Sequence, residues 1–414
     1  MDEILTGEQV FRAYIGIMWF FKVKPAADPT AVVSRIQHGV DAVIDKVPML
    51  GGTLCKDNDT IFVKGSTDRT LVQLETQPYT LEQIASSGFD QNKAFFDSLP
   101  GPTPAIDEQK VLIVKVISLQ CGALVVAIHC HHIAADAKAV CAIAQCISGC
   151  EEAKTALLWS DRSRLATTLQ ASHAEKLPKS LFIDPQQHPA TNLAIKSEYK
   201  RHQFQLTSHA LQQLKSIAQQ QDGQQCTANM LVMSLVWRAW TRALQEHGST
   251  SPYTHTGCPV DMRGQLQSTD NMEHYIGNCV LPFPIAAPTQ FVLESSLVQV
   301  AHYMQSLIHK HANVSALHAF MLNFDPADDA AAVLAKTDAP VISFSNMSRL
   351  QLTDVDFGLG RAESVQLCSF DAPLMLFSIS DGHGGLLVNT VLSAETVAAF
   401  SKDQEFSTFA SFIY

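Results

Sequence analysis

Strand-like and helix-like segments alternate along the whole chain, and this alternation constrains the fold more than any other feature of the sequence. Residues 28–47 carry apolar side chains at steps of three and four positions, which predicts an amphipathic helix. Residues 111–118 and 123–129 are rich in Val and Ile, and the short segment between them predicts a β-hairpin. Intermixed strands and helices predict sheets layered with helices, an α/β fold. Further helices are predicted at 137–147, 210–220, 227–245 and 295–309, and further strands at 341–345, 364–367, 374–379 and 385–392.

The region 178–200 separates two halves of the chain. Three prolines interrupt the periodic pattern there, as in a linker. A length of 414 residues, at about 150 residues per domain, allows two or three domains. We therefore predict a first domain at 1–177, a crossover linker at 178–200 and a second domain at 201–414.

The charge balance excludes some classes of partner. The net charge is −11 and no five-residue basic run occurs, which argues against a nucleic-acid surface, because such a surface needs clustered Lys and Arg. The apolar stretch Tyr14–Phe21 is shorter than the ~20 residues of a membrane span. Asp2 and Glu3 stand where a signal peptide would be positive, and the ten cysteines form no C-x-x-C framework. We expect a cytoplasmic monomer with no nucleic-acid or membrane partner.

Three histidines and one aspartate lie within eight residues at the end of the second hairpin strand. His129, His131 and Asp136 have the chemistry of metal ligands. Their spacing lacks the i, i+4 histidine pair of a helical metal site, which argues against a metal site here. His132 alternatively acts as a general base, because a neutral imidazole with a pKa of about 6.5 accepts a proton at physiological pH. Asp136 would then lock the turn that presents this base. A third interpretation makes the histidines buried residues of a strand end, with Asp136 capping the next helix.

Five short motifs, in order along the chain, resemble those of the BAHD acyltransferase family. His132-x-x-x-Asp136 resembles the H-x-x-x-D motif, and Asp-Phe-Gly-Leu-Gly at 356–360 resembles D-F-G-W-G. The other three are a turn at 48–54 similar to P-L-A-G-R-L, Val-Asp-Met-Arg at 260–263 similar to V-D-x-R, and Tyr-Ile-Gly-Asn at 275–278 similar to Y-x-G-N. The resemblance extends from about Leu5 to the C-terminus and is nearest to the fungal secondary-metabolite branch.

This resemblance implies a fold, an activity and a co-substrate. The fold is two similar chloramphenicol-acetyltransferase-like domains with a channel at their interface. The activity is acyl-CoA-dependent O-acyl transfer, with acetyl as the expected group, to a hydroxyl of an apolar secondary metabolite. His132 is the implied general base, and the acceptor attacks the thioester directly. Acyl-CoA is then a co-substrate, no tightly bound cofactor is required, and the other partner is a small-molecule alcohol or amine.

The resemblance also implies supporting roles around the base. Asp136 pairs with Arg263, so it supports the histidine without reacting. Asp356, Gly358 and Gly360 belong to a motif that is structural in the family, because its glycines allow a tight backbone path.

One departure from the family concerns the oxyanion of the reaction. Ser345-Asn346-Met347 resembles the Thr-Ser-Trp segment of the plant members, whose Trp has an N–H donor near the reacting carbonyl. Met347 has no such donor, so Ser345 and Asn346 become the candidate oxyanion donors. Candidates for contact with the phosphate-bearing co-substrate are Asn278, Arg349 and other basic residues of the second half, among them Arg238 and Arg242.

Two other activities are compatible with the base motif. Condensation domains of peptide synthetases show H-H-x-x-x-D-G, and His131-His132 followed by Asp136-Ala137 fits that pattern nearly as well. Such a domain forms an amide or ester from a carrier-protein thioester. The motif at 356–360 favours the BAHD family. The other alternative is a repurposed member of the fold, a binding protein or a cyclisation catalyst, which Met347 leaves open.

Overall fold

Strands and helices alternate along the residues that the computed structural model describes, which are 2–22, 28–58, 60–65, 70–86, 108–149, 157–181, 199–222, 226–266, 271–325, 341–367 and 374–413. The strands are β1 (Asp2–Glu3), β2 (Tyr14–Phe21), β3 (Thr53–Asp57), β4 (Thr60–Lys64), β5 (Gln73–Gln77), β6 (Gln109–Lys110), β7 (Leu112–Leu119), β8 (Leu124–His131), β9 (Tyr199–Leu206), β10 (Tyr253–Asp261), β11 (Val280–Pro288), β12 (Ile342–Asn346), β13 (Ser364–Leu367), β14 (Met375–Ser380), β15 (Leu386–Ser393) and β16 (Ser411–Phe412). The helices are α1 (Pro29–Lys46), α2 (Leu81–Ser86), α3 (Ala137–Ser148), α4 (Arg162–Gln170), α5 (Ser208–Asp222), α6 (Ala228–Glu246), α7 (Thr289–Glu294), α8 (Leu297–His311), α9 (Val314–Asn323), α10 (Ala394–Lys402) and α11 (Gln404–Phe409). In this described part of the chain no helix has both the length and the apolarity to cross a membrane.

Two compact units divide the chain. The first contains Met1–Ser172, Arg263–Cys279 and Leu350–Phe370, and the second contains His173–Met262, Val280–Arg349 and Asp371–Tyr414. Each unit has its own sheet and helices, so the predicted α/β class is confirmed. Two segments from the later part of the chain thus belong to the first unit. The predicted linker stays a prediction, because most of 178–200 lies outside the described residues.

A five-stranded sheet in the order β13-β2-β8-β7-β5 forms the centre of the first unit. β2 and β8 are buried along their whole length, which explains their nearly continuous apolar sequence. β7 and β8 pair antiparallel as the predicted hairpin, and α1 packs against α3. A smaller sheet has the order β1-β4-β3-β6. Because β8 ends at His131, the sheet stops directly before His132.

A seven-stranded sheet in the order β11-β10-β12-β14-β15-β9-β16 forms the centre of the second unit. Helix α6 begins after Thr227, whose hydroxyl accepts the N–H of Met230 at 3.3 Å and caps the helix. The side chains of Trp237 and Trp240 in this helix are buried. Phe204 of β9 packs edge-on against a ring of α11, so helices and sheet share one apolar core.

Candidate active site

His132 lies in the turn that directly follows β8. Its backbone N–H donates to the carbonyl of Ala13 at 2.7 Å, and the N–H of Ala134 donates to the carbonyl of His131 at 2.8 Å. The Phe11 ring stacks on the imidazole with 4.4 Å between ring centroids. The turn and the plane of the imidazole are therefore both fixed, while the side chain is only half-buried.

Asn278 contacts His132 through both ends of its side-chain amide. Its Nδ2 donates to the carbonyls of His132 at 2.8 Å and of Ile133 at 3.0 Å, and its Oδ1 lies 3.1 Å from Nδ1 of His132. Because an amide oxygen can only accept, this last hydrogen bond requires the proton on Nδ1. The neutral imidazole then has its lone pair on Nε2, the form that a general base needs.

The surroundings of His132 keep its imidazole neutral. Burial lowers the pKa of His132 below its ordinary value of 6.5, because the charged ring loses hydration. Hydrogen bonds with the backbone and with Asn278 and the negative charge of Asp136 oppose this effect without cancelling it. His132 is therefore able to accept a proton at neutral pH.

Asp136 binds Arg263 and caps helix α3. Its Oδ2 lies 2.8 Å from Nη1 of Arg263, and its Oδ1 lies 3.1 Å from Nη2. Oδ1 also accepts the N–H of Ala139 at 3.0 Å, and Oδ2 accepts the N–H of Cys279 at 2.9 Å. Both carboxylate oxygens are thus occupied by donors of the protein in a buried position, which is a structural arrangement beside the base.

The Tyr-Ile-Gly-Asn segment is held by Arg263 and Trp159. Nη2 of Arg263 donates to the carbonyls of Tyr275 at 3.2 Å and Gly277 at 3.0 Å. The Tyr275 ring lies 5.9 Å from the guanidinium and 4.7 Å from the Trp159 ring. A Cβ at position 277 would overlap the Tyr275 ring, so this close approach requires glycine. These contacts bring Asn278 against His132.

A second buried ion pair, absent from the sequence prediction, lies next to Asn278. Nε of Arg162 donates to Oε2 of Glu8 at 2.7 Å, and Nη2 lies 3.1 Å from Oε1. Oε1 of Glu8 also accepts the Nδ2 group of Asn278 at 3.2 Å and its backbone N–H at 3.3 Å. Arg162 further donates to the carbonyl of Ala134 at 2.9 Å. No local pattern in the sequence marks Glu8, Arg162 or the stacking residue Phe11.

His129 and His131 lie in β8 and not in the turn. Burial lowers the pKa of His129 to about 3 and that of His131 to about 4, and the positive charge of Lys115 adds a smaller effect at His129. Nδ1 of His131 accepts the N–H of Ile133 at 3.3 Å. Among the described residues, no three His, Cys, Asp or Glu side chains are placed to hold a metal ion. Both histidines are neutral residues of a buried strand.

The Asp-Phe-Gly-Leu-Gly motif closes a tight loop in the first unit. Oδ1 of Asp356 accepts the N–H of Leu359 at 2.8 Å and of Gly360 at 3.0 Å. Gly358 has a φ of 74°, and a Cβ there would overlap the guanidinium of Arg35, which donates to the Phe357 carbonyl at 3.0 Å. These contacts hold the loop in its conformation and pack it against Arg35, as expected of a structural motif.

The candidate oxyanion donors lie in the second unit, at the end of β12. Asn346 is exposed, and its Oδ1 accepts the Ser378 hydroxyl at 3.0 Å and the N–H of Ser348 at 2.9 Å. With the amide oxygen held by two donors, the Nδ2 group is directed away from both. Ser345 is half-buried, and Met347 is buried with its N–H bonded to the Ser378 carbonyl at 2.8 Å.

Two of the basic residues considered for the co-substrate are bound to carboxylates of the second unit. Nε of Arg238 donates to Glu405 at 2.7 Å, and Nη2 of Arg242 lies 2.8 Å from Glu405 and 3.0 Å from Asp403. Arg349 is exposed. Asn278 is fully buried, and its amide is bonded to His132 and its neighbours, so no exposed amide group remains for a co-substrate.

A comparison with protein-family models matches residues 8–407 to the model described as Transferase family. A search of curated proteins by sequence finds no match.

Solved structures share the fold over nearly the whole chain. TRI101 of F. graminearum, crystallised with coenzyme A and deoxynivalenol, superposes with a TM-score of 0.80 at 16% identity, covering 100% of this chain and 99% of that one. Vinorine synthase gives 0.69 at 13% identity, with 99% and 93% covered. The first condensation domain of the calcium-dependent antibiotic synthetase gives 0.63 at 12% identity, with 94% and 91% covered. At these identities the likeness concerns the fold alone.

Proposed function

We propose that this chain, which belongs to the transferase family of BAHD-type acyltransferases, transfers an acyl group from coenzyme A to a hydroxyl of an apolar secondary metabolite. We expect the acyl group to be acetyl. The observation that carries this proposal is the 3.1 Å contact between Oδ1 of Asn278 and Nδ1 of His132. It leaves the imidazole lone pair on Nε2, where a base needs it. TRI101, of the same fold, was crystallised with coenzyme A and a small-molecule toxin, which supports both classes of substrate.

The reaction begins with proton transfer to His132. Nε2 accepts the proton of the acceptor hydroxyl as the oxygen attacks the thioester carbonyl carbon. The tetrahedral oxyanion then collapses, the C–S bond breaks, and the coenzyme A thiolate takes the proton from the imidazolium. No acyl-enzyme is required, because both substrates meet at one base and the acceptor oxygen attacks the thioester directly. General base catalysis of this kind contributes roughly 10²–10⁴-fold.

The imidazolium of this mechanism is stabilised by neutral groups more than by a carboxylate. Nδ1–H faces the amide oxygen of Asn278, whereas both oxygens of Asp136 are bonded to Arg263 and to backbone N–H groups. Asn278 therefore orients the base, and Asp136 secures the turn and the start of α3. We propose this orienting role for Asn278 in place of contact with coenzyme A.

Asn346 is the proposed donor to the tetrahedral oxyanion, with Ser345 as the second. The amide of Asn346 offers two N–H bonds, and its oxygen is held by Ser378 and Ser348, so its direction is set before substrate arrives. A preorganised donor of this kind is worth about 2.7–4 kcal/mol of transition-state stabilisation. It would take over the function of the tryptophan that Met347 replaces.

Arg349 is the proposed partner for a phosphate of coenzyme A, since it is exposed and a guanidinium matches phosphate geometry. We further propose that the chain crosses between its domains within 178–200 and that the enzyme is a cytoplasmic monomer. The absence of a C-x-x-C framework among the ten cysteines of the sequence supports a reducing compartment.

A second candidate function is condensation with a carrier-protein thioester. The likeness to a condensation domain and the His131-His132 pair favour it. The two functions differ in the acyl donor, because a condensation domain needs the acyl group on a carrier protein. The match to the transferase family model favours free acyl-CoA.

The test is incubation of the enzyme with acetyl-CoA and a panel of hydroxylated metabolites that includes deoxynivalenol, followed by mass spectrometry. We expect one acceptor to gain one acetyl group and His132→Ala to abolish that product. A parallel series offers acetyl-loaded carrier protein as donor. Product from the carrier protein alone would favour condensation, and normal turnover by His132→Ala would contradict the assignment of the base.

A further inference from the structure

Glu8 is the charged group among the partners of Asn278, and we propose that it is a positioning residue that fixes the tautomer of His132 through Asn278. This inference rests on the proposed role of His132 as general base. Glu8 itself contacts no reacting atom. Its carboxylate acts through one amide side chain, which in turn contacts Nδ1 of the imidazole.

The orientation of the Asn278 amide decides the tautomer. An asparagine side chain fits the same space in two orientations, which exchange its oxygen and its nitrogen. Nδ2 of Asn278 faces three oxygen atoms that can only accept, which are the carbonyls of His132 and Ile133 and Oε1 of Glu8. The reversed amide would place its own oxygen against all three.

The carboxylate makes that reversal most unfavourable. A carbonyl repels an amide oxygen through partial charges, whereas Glu8 does so with a full negative charge in a site without solvent. Glu8 therefore selects the amide orientation in which Oδ1 of Asn278 faces Nδ1 of His132. An oxygen at that position requires Nδ1–H, which leaves the lone pair on Nε2.

The ion pair also keeps Glu8 in place. Arg162 contacts both carboxylate oxygens, and the N–H of Leu5 donates to Oε2 at 3.0 Å. The same guanidinium donates to the carbonyl of Ala134, inside the turn that carries His132. Glu8 and the turn are thus fixed relative to each other by one side chain.

The chain segment that carries Glu8 contacts His132 in two further ways. The Phe11 ring covers one face of the imidazole, and the carbonyl of Ala13 accepts the His132 N–H. The short 3₁₀ helix Thr6–Val10 carries Glu8, which contacts Asn278, and Phe11 follows directly after this helix. Two direct contacts of this segment with His132, together with the contact of Glu8 through Asn278, support a positioning role more strongly than a single ion pair does.

The experiment reads the tautomer directly by ¹⁵N NMR of protein labelled at its histidine nitrogens. The His132 signals are identified by their absence in His132→Gln. In the wild type we expect the proton on Nδ1. In Glu8→Gln we expect a mixture of tautomers and a fall in kcat with acetyl-CoA of up to about 10²-fold, with an unchanged KM for acetyl-CoA.

Glu75→Gln is the matched control, because it removes the same carboxylate from another ion pair of the same unit, with Lys115 at 2.6 Å. It should keep both the tautomer and kcat. If Glu8→Gln does not fold, the double variant Glu8→Gln/Arg162→Gln, which leaves no unpaired buried charge, provides the test. A folded Glu8 variant with the wild-type tautomer, or a wild type with its proton on Nε2, overturns the proposal. The spectrum does not require acyl transfer, so an inactive wild type would count against the proposed function alone.

Discussion

Phe11 lies flat on the imidazole of His132, with only 9° between the two ring planes. This contact fixes the plane in which Nε2 approaches a hydroxyl, so the ring is expected to matter for kcat more than for stability. An aromatic pair contributes about 0.5–1.5 kcal/mol beyond area burial, which corresponds to a fall in kcat of up to ~10-fold in Phe11→Ala. Phe11→Tyr keeps the stacked ring and should keep kcat. Equal activity of the Ala and Tyr variants would show that stacking has no part in catalysis.

The pH dependence of kcat/KM should report the lowered pKa of His132. The base works only when neutral, so kcat/KM falls as the pH drops through the pKa of the free enzyme, which burial places below 6.5. The hydrogen bond with Asn278 raises this pKa, so Asn278→Ala should move the acid limb to lower pH while lowering the plateau. The measurement is a pH–rate profile of both proteins. An acid limb above pH 6.5 would contradict the assignment.

Prolines explain why two strands of the second unit could not be predicted. β10 and β11 pair in register, with Pro259 opposite Pro282. A pattern with several prolines argues against a strand, because proline has no N–H for a sheet ladder. β11 tolerates them because it is an edge strand. The hairpin of β7 and β8 has no such interruption, and its pattern was sufficient.

The residues of the candidate site likewise include some that the sequence indicated and others that it did not. His132 and Asp136 lie in one turn, so their spacing marked them as candidates in the sequence, and the resemblance to the H-x-x-x-D motif then predicted their roles. Glu8, Arg162 and Asn278 come from three distant segments, and only the tertiary fold brings them together. The burial of a single asparagine has no local signature, so the sequence did not indicate the contact between Asn278 and His132.

Loss of the Asp136 carboxylate should lower stability as well as activity. Asp136→Ala leaves the buried guanidinium of Arg263 without its counter-charge, which costs about 3–5 kcal/mol of unfolding free energy. The double variant Asp136→Ala/Arg263→Met leaves no unpaired charge at this position and should lose less than the sum of the two single variants. Urea unfolding at pH 7 measures all three. A loss of activity in Asp136→Ala with unchanged stability would instead assign the carboxylate to the chemistry.

Acid should destabilise the protein through His129 and His131. Their pKa values are lowered to about 3 and about 4, from 6.5 in the unfolded chain. Between the lowered pKa values and 6.5, the unfolded state binds more protons than the folded state. The free energy of unfolding is therefore highest above pH 6.5 and falls as the pH drops toward 4. Each histidine contributes about 1.4 kcal/mol per pH unit in this range.

His131→Asn tests this linkage, because the amide oxygen replaces Nδ1 as the acceptor for the N–H of Ile133. Urea unfolding at pH 7, 6 and 5 should show a shallower loss of stability in this variant than in the wild type. An equal slope in both proteins would mean that His131 does not titrate with unfolding.

The oxyanion assignment predicts a large effect of an isosteric change at position 346. Asn346→Asp keeps an oxygen for Ser378 and Ser348 but removes both N–H donors and adds a negative charge. We expect kcat to fall by about 10²–10³-fold, the usual cost of one oxyanion donor, with little change in the unfolding free energy. Asn313→Asp is the matched control in the same unit, because Asn313 caps α9 through its oxygen and aspartate caps equally well. Wild-type kcat in Asn346→Asp would exclude Asn346 and leave Ser345→Ala as the variant to measure.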